Sequence, residues 1–294
     1  MGKLDAFREI LQSDVPTSSL TWLRLGGPIE HLARPRSEEE LLALLKACNE
    51  EGIETRVIGD GSAILVSDVG APGLAIQLSE PAFCQITVDA PYVVAGAGAK
   101  LGRLATTTAS SGLSGIEGLV GVPGVVGGAT VTNASTTDGS LGQWIESVRV
   151  AGYDGSVREL TQDDLVFGYR SSNLDGVVVL SVKFRLEPDS AEELAKRLQK
   201  IWIVREQSRP NLAPGEGLAR MFKNPNGQRA AEFIADAGFR GAGVGGASVC
   251  EVNPNLIKTS PQCTSDDVKR LITLIQQQAR ERFGVELESE LTLW

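Results

Sequence analysis

The side chains of this chain that could carry chemistry fall in three short segments. Tyr169-Arg170-Ser171 follows an apolar stretch and a glycine. An arginine so placed forms a two-pronged pair with a carboxylate, either of a ligand or, as a structural salt bridge, of the protein itself. Met221-Phe222-Lys223-Asn224-Pro225 sets a cation and an amide at a forced turn, which suits a phosphate-bearing ligand or a plain proline loop. Glu290 stands four residues from the end, in a segment from Val285 to Leu293 whose apolar residues fall at odd numbers. That alternation puts Glu290 on the polar side, and a solvated strand face is its plain reading. His31 is the single histidine, which all but removes Ser-His-Asp triads and multi-histidine metal sites, so no metal is expected. Cys48, Cys84, Cys250 and Cys263 lack metal-ligand spacing and read as reduced, buried thiols. Chemistry on such a chain calls for a cofactor.

Two glycine loops are placed to hold one. Seven of the seventeen residues from Gly112 to Gly128 are glycine. The average is about 7%. Apolar residues separate the glycines, so the run is packed backbone rather than a flexible linker. Exposed backbone N–H groups cradle anions. A shorter loop, Gly59-Asp60-Gly61-Ser62, lies earlier. The two can close on one pyrophosphate, with Asn133 just beyond, and together they point to a dinucleotide; each alone is also readable as tight turns.

The elements that must position these groups are mixed. A helix is predicted over 3–12, and Gly26-Gly27-Pro28 marks a turn. His31 falls in a strand over 29–33 and reads as structural. Ser37 caps a helix that runs to Glu51 and stops at Gly52. Short strands follow over 55–58, 63–66, 74–78 and 92–95, then a helix over 100–110. Strands are predicted over 144–153, 157–160 and 177–186, the first two joined by an Asp154-Gly155 hairpin turn. Gln162–Leu165 reads as a short helix or turn. Pro188-Asp189-Ser190 reads as a joint, and Ser190 caps a helix from Ala191 to about Gln207. Further helices span 228–237 and 266–283, the latter capped by Ser265, and a strand over 285–293 closes the chain. The pattern is α+β in two or three lobes. It lacks regular βαβ spacing and has no Gly-x-Gly-x-x-Gly opening a helix after a first strand, which excludes a Rossmann domain.

Composition agrees with a soluble globular protein: 294 residues, 42% hydrophobic and 22% charged, with a net charge of −9. The acidic balance speaks against nucleic acid or an anionic membrane as partner. The first residues lack the features of a signal peptide, and no apolar run approaches the ~18 residues of a membrane span. A cytoplasmic protein is expected.

The motifs in their order resemble one family. Leu23-Arg-Leu-Gly-Gly-Pro resembles its N-terminal entry motif. Gly59-Asp-Gly-Ser resembles its first flavin loop, Gly-x-Gly-Ser-Asn. Gly115-Ile-Glu-Gly through Val122-Pro-Gly-Val-Val-Gly-Gly-Ala resembles its most specific signature. Phe167-Gly-Tyr-Arg-Ser, Phe222-Lys-Asn-Pro and Glu290 complete the set. Over roughly residues 18–294 the chain resembles the UDP-N-acetylenolpyruvoylglucosamine reductases, also called UDP-N-acetylmuramate dehydrogenases, the FAD enzymes of peptidoglycan precursor synthesis. The short stretch from Arg170 to Phe222 resembles the compact type without an inserted tyrosine loop.

The resemblance implies an α+β fold. Its FAD-binding part is of the vanillyl-alcohol oxidase type, with two α/β subdomains at 18–80 and 81–188 after an N-terminal helix at 1–17. A C-terminal α+β substrate-binding domain follows at 189–294. It implies FAD held by Gly59, Asp60, Gly61, Ser62, Gly121, Pro123, Gly124, Gly127, Gly128 and Asn133. A nucleotide-sugar substrate is held by Tyr169, Lys223 and Asn224 in a monomer or weak oligomer. NADPH reduces the flavin, and a hydride then passes to the terminal carbon of the enolpyruvyl ether. Arg170 and Glu290 match the groups that stabilise the resulting enolate-like charge. In the family a serine or cysteine then protonates the neighbouring carbon.

That acid is missing. The family's Gly-Ser-x-Phe-Lys-Asn-Pro aligns with Ala219-Arg220-Met221-Phe222-Lys223-Asn224-Pro225, so Arg220 occupies the donor's position. A guanidinium, with a pKa above ~12, is no general acid near neutrality. The asparagine after Gly-x-Gly-Ser is here Ala63, Asn-x-Gly-Ala-Tyr-Gly has become 133–139, and His-Ala-Gly-Phe aligns with Asn253-Pro-Asn-Leu. Three readings follow: a working reductase with an altered acid step, a flavoprotein acting on another substrate, or a catalytically silent flavin- or nucleotide-binding paralogue.

Overall fold

The computed structural model describes residues 3–136 and 139–294. Thr137 and Asp138, within the altered 133–139 segment, lie outside the described residues, as do Met1 and Gly2. Contacts divide the chain into two units. The first contains residues 1–13, 31–59 and 73–206, and the second contains 14–30, 60–72 and 207–294. The first unit runs on past Pro188-Asp189-Ser190 to residue 206.

The first unit opens differently from the sequence expectation. Lys3–Phe7 is a single stretch of 3-10 helix, and Leu11–Pro16 is a strand rather than the end of an amphipathic helix. The Ile10 carbonyl accepts from Arg34 N at 3.0 Å, an external bond that draws this segment out of helix. A four-stranded sheet runs in the order 11–16, 28–33, 71–76, 55–57. Its last pair is parallel, with Val57 opposite Ile76. Helix α1, Glu38–Glu51, links the second strand to the fourth. Ser37 accepts from Glu40 N, three glutamates fill the first turn, and left-handed Gly52 ends it, as the sequence indicated. It buries Leu41, Leu44, Leu45 and Cys48.

The second sheet of this unit is antiparallel throughout, in the order 157–161, 145–152, 177–185, 92–96, 86–89. Asp154-Gly155 turns the first hairpin as expected, and Asp154 Oδ1 accepts from Ser156 N at 2.9 Å. Val93, Ala95, Val148, Val150, Val182 and Phe184 are fully buried in one continuous core. Helix α2, Leu101–Ser110, and the short helix α3, Val126–Val131, contribute Leu101, Leu104, Val126 and Ala129 to it. Helix α4, Ala191–Gln207, also belongs to this unit, and of its side chains Leu194 is buried.

The second unit is built on a four-stranded antiparallel sheet in the order 217–220, 256–259, 247–249, 243–244. Helix α5, Ala230–Asp236, and helix α6, Ser265–Phe283, share its core with Met221, Phe222 and Ile257. Leu23, Leu25 and Leu65, from far earlier in the chain, join the same core. Thr17, fully buried, donates to the carbonyls of Leu25 and Gly27, which fixes the Gly26-Gly27 turn.

Two C-terminal readings are corrected. The cap of α6 is Thr264, not Ser265. Thr264 and Asp267 bond each other's backbone N–H in a capping box, while Ser265 is taken by Asp68, whose carboxylate accepts from both its N and its Oγ. The strand expected over 285–293 is reduced to Thr292–Leu293, paired in parallel with Ile64–Leu65. The rest is extended chain that buries Leu287 and Leu291. Thr264→Ala removes the cap, and the expected cost is about 1 kcal/mol, or about 2–4 °C in thermal melting.

Cys48, Cys250 and Cys263 are buried free thiols as expected, but Cys84 is only partly buried. Burial, with Asp267 and Asp68 nearby, pushes Cys263 up to about 12, so it stays protonated at neutral pH.

Candidate functional site

The first unit carries the glycine run, and its geometry separates glycines needed for packing from one that is not. Gly121 and Gly124 take φ of +75° and +125°, which side-chain-bearing residues rarely adopt. The run is then tied along the turn before α2. Leu101 N donates to Gly124 O at 3.1 Å, Val126 N to Ala99 O at 2.8 Å and Gly127 N to Ala97 O at 2.8 Å. A Cβ on Gly127 would lie 2.9 Å from the Ala97 Cβ, so packing requires that glycine. Gly128, the next residue, is exposed, and a Cβ there would meet nothing within 4 Å. Nothing packs where its Cβ would stand, and such open space over the backbone is what a flat anionic group needs for close approach.

Gly59, the residue of the shorter loop that lies in the first unit, sits against the longer run. A Cβ on Gly59 would fall 2.8 Å from Val125 Cγ2, and Gln77 Nε2 holds the Gly59 carbonyl at 3.1 Å. Asp60, Gly61 and Ser62 continue into the second unit, where Gly61, at φ +69°, accepts from Trp22 N at 3.0 Å.

Asn133, expected beside the cofactor, is 3% exposed. Its Nδ2 donates to Gly168 O at 2.7 Å and its Oδ1 accepts from Gly142 N at 2.9 Å. It therefore clamps a two-residue hairpin, Phe167-Gly168 against Ser171-Ser172, whose tip is Tyr169-Arg170. Ser172 Oγ adds a bond to Val131 O, at the end of α3, at 2.7 Å. Tyr169 is exposed, while Arg170 is held at φ +54° with its Nε buried. Such a conformation costs a residue with a side chain about 1 kcal/mol or more, which the surrounding bonds must offset.

The second unit holds Arg220, Lys223, Asn224 and Glu290. Residues 217–220 pair with 256–259, and the ladder ends at Arg220 opposite Leu256. Beyond it, Met221 O accepts from Glu290 N at 2.8 Å, and Lys223 N donates to Glu288 O at 2.9 Å. This places Arg220 Nε 3.6 Å from Glu290 Oε2. The solvated face expected for Glu290 is corrected here. Glu286 and Glu288 are exposed, but the Glu290 side chain is only 14% exposed and its Oε1 is buried. Arg220 remains 42% exposed. Lys223 pairs with the exposed Glu288 carboxylate, and Asn224 Oδ1 accepts from Ala230 N at 3.1 Å, at the start of α5.

Sequence reasoning missed Asn255, which is 2% exposed and bonds both polar groups of the Phe222 peptide. Asn253-Pro254-Asn255 reads as a turn, and turn chemistry hides a buried amide.

Residues 29–161 match the family model of an FAD binding domain. Residues 215–294 match that of the UDP-N-acetylenolpyruvoylglucosamine reductase C-terminal domain. The UDP-N-acetylenolpyruvoylglucosamine reductase of Rhodopirellula baltica is 36% identical over 97% of this chain and 93% of its own length. That of Moorella thermoacetica is 36% identical over the same shares. The crystal structure of UDP-N-acetylenolpyruvylglucosamine reductase from Thermus caldophilus is similar with a TM-score of 0.81 at 32% identity, covering 97% of this chain and 99% of that one.

Proposed function

The chain belongs to the UDP-N-acetylenolpyruvoylglucosamine reductase family, and from that premise we propose that it is a working reductase whose protonation step has been altered by Arg220. Its fold is that of the family, α+β with an FAD-binding part and the reductase C-terminal domain, and its cofactor is FAD. The exposed backbone of Gly128 beside the tightly packed Gly127 fits that group. In our reading Gly59–Ser62 and Gly121–Gly128 hold it, residues 18–80 and 81–188 form the flavin-binding subdomains, and 189–294 bind substrate. Asn133 contributes by fixing the hairpin at Gly168.

Bound FAD supplies hydride transfer from NADPH to the terminal carbon of the enolpyruvyl ether of UDP-N-acetylglucosamine. The product is the nucleotide-linked lactyl ether used in peptidoglycan precursor synthesis. The net reaction adds one hydride and one proton across the carbon–carbon double bond and leaves NADP⁺. Arg170 takes the substrate carboxylate, where negative charge builds as the hydride arrives. Preorganised charge of this kind is often the largest catalytic contribution. The buried carboxylate of Glu290 orders the polar groups around the reacting carbons. Tyr169, Lys223 and Asn224 bind the nucleotide. Lys223 is mostly withdrawn from solvent and pairs with the exposed Glu288 carboxylate, which in our reading a phosphate of the substrate displaces. Water delivers the proton beside Arg220, whose partial exposure leaves that position open to solvent.

The observation that carries this reading is Glu290, withdrawn from solvent on an otherwise solvated face and set against Arg220. No described helix is long and apolar enough to cross a membrane, and we place the enzyme in the cytoplasm. The test is anaerobic: flavin reduced with NADPH should reoxidise when the enolpyruvyl nucleotide is added, with matching product. A yellow protein whose flavin stays reduced for many minutes would refute the proposal.

The glycine pair offers a separate check. Gly127→Ala is expected to destabilise the fold by about 1–3 kcal/mol through overpacking against Ala97. Gly128→Ala should leave melting unchanged or slightly raised. It should weaken FAD binding about tenfold, read by flavin titration of the apoprotein.

A further inference from the structure

We propose that Asn255 is a positioning residue for the reductase reaction, setting the register that brings Arg220 against Glu290. The regular ladder between 217–220 and 256–259 stops at Arg220 and Leu256. From there the Asn255 side chain acts as one more strand residue. Its Nδ2 donates to Phe222 O at 2.7 Å, and its Oδ1 accepts from Phe222 N at 3.0 Å. Its own carbonyl accepts from Met221 N at 3.0 Å, and its N–H donates to Asn253 Oδ1 at 3.1 Å. The opposite edge of the same three residues carries Glu290 N on Met221 O and Lys223 N on Glu288 O. Phe222 also bridges to Ser289. Segment 221–223 is therefore gripped from both sides, and the side chain doing the gripping on one side is a single buried amide.

A primary amide is the group this place demands, since it must donate to a carbonyl and accept from an N–H at one residue's width. Aspartate keeps the shape but sets a carboxylate oxygen against the Phe222 carbonyl. Alanine leaves both Phe222 groups buried and unsatisfied. Either way the segment loses part of its hold on the Asn255 edge while keeping its backbone bonds to 288–290, and the 3.6 Å approach of Arg220 to Glu290 loosens. Asn255 touches neither charged side chain, so its effect passes entirely through backbone register.

The inference rests on the function proposed above for its kinetic readout. With flavin-loaded Asn255→Asp, reoxidation by the enolpyruvyl nucleotide should fall about 10- to 100-fold, since small misplacements near reacting groups cost that much. Reduction by NADPH should stay within about twofold. In a Glu290→Gln background the same substitution should cost less than about threefold more, because both act through one group. Equal losses in both backgrounds, or a parallel loss in NADPH reduction, overturn the proposal. Its structural readout needs no activity. In crystals of the variant, Arg220 Nε and Glu290 Oε2 should separate beyond about 4 Å, and a pair still in place overturns it. Should Asn255→Asp fail to fold, hydrogen exchange on the unaltered chain decides. Slow exchange of the Phe222 amide in step with those of Met221 and Glu290 supports the clamp, and fast exchange at Phe222 alone refutes it. Failure of the unaltered enzyme to reoxidise at all would instead sink the proposed function, while the crystal and exchange readouts would still decide the role of Asn255.

Discussion

Arg170→Ala slows the transfer of hydride to the enolpyruvyl carbon by about 10²- to 10³-fold in the expected result, the usual cost of losing one preorganised group at a developing charge. Reduction of the flavin by NADPH is unchanged, because that half of the cycle builds no charge on the substrate carboxylate. The geometry gives the expectation its sharpness. The hairpin that carries Arg170 is fixed at Gly168 by Asn133 and at Ser172 by the end of α3, and its tip sits at a φ of +54°. The backbone beneath Arg170 is thus anchored on both strands of the hairpin. Arg170→Lys keeps the charge but loses the planar fork, and should recover only part of the rate. Arg170→Gly relaxes the backbone and should behave kinetically like the alanine variant, with equal or better thermal stability. Stopped-flow traces of the two half-reactions give all three values. Equal slowing of both halves in Arg170→Ala would show that the residue supports the flavin rather than the substrate.

Local rules made much of this fold legible. Ser37 and Gly52 mark the ends of α1 and Asp154-Gly155 marks its hairpin, because each depends on a few neighbouring residues. What the sequence withheld depends on distant ones. The spacing of 3–12 suits a helix, but the Ile10 carbonyl is claimed by Arg34, far along the chain. Thr264 and Ser265 are equally good caps in isolation. Asp68, nearly two hundred residues earlier, takes Ser265 and leaves the helix to Thr264. The site shows the same division. Residue types alone single out positions 170, 220 and 290, and mark Arg220 as the wrong chemistry for an acid. The alternation around Glu290 could not tell a solvated face from a withdrawn one, since period two reports only which side chains share a side. Asn133 and Asn255 are harder still. Asn133 is expected beside the cofactor and Asn255 reads as part of a turn, and each is a buried amide completing the backbone of another segment.

Arg220→Ser should raise the rate of reoxidation by the enolpyruvyl nucleotide by about 10- to 100-fold. A positioned general acid is worth about 10²- to 10⁴-fold, and water beside a guanidinium delivers only part of that. The gain stays below the full value because the substitution also removes the cation 3.6 Å from Glu290, which loses its ordering partner. Arg220→Ala separates the two effects. It removes the guanidinium without supplying a hydroxyl, so its rate should fall below that of the serine variant by most of the acid's contribution. If alanine and serine speed the reaction equally, the gain comes from cleared space or charge and the missing acid is not limiting. If both slow it, Arg220 is itself a working group: its pair with Glu290 then stabilises charge at the reacting carbons, and proton delivery from solvent was never the slow step. A solvent deuterium effect on the same half-reaction distinguishes these outcomes, being large in the unaltered enzyme and smaller in Arg220→Ser only if protonation limits the rate that the serine relieves.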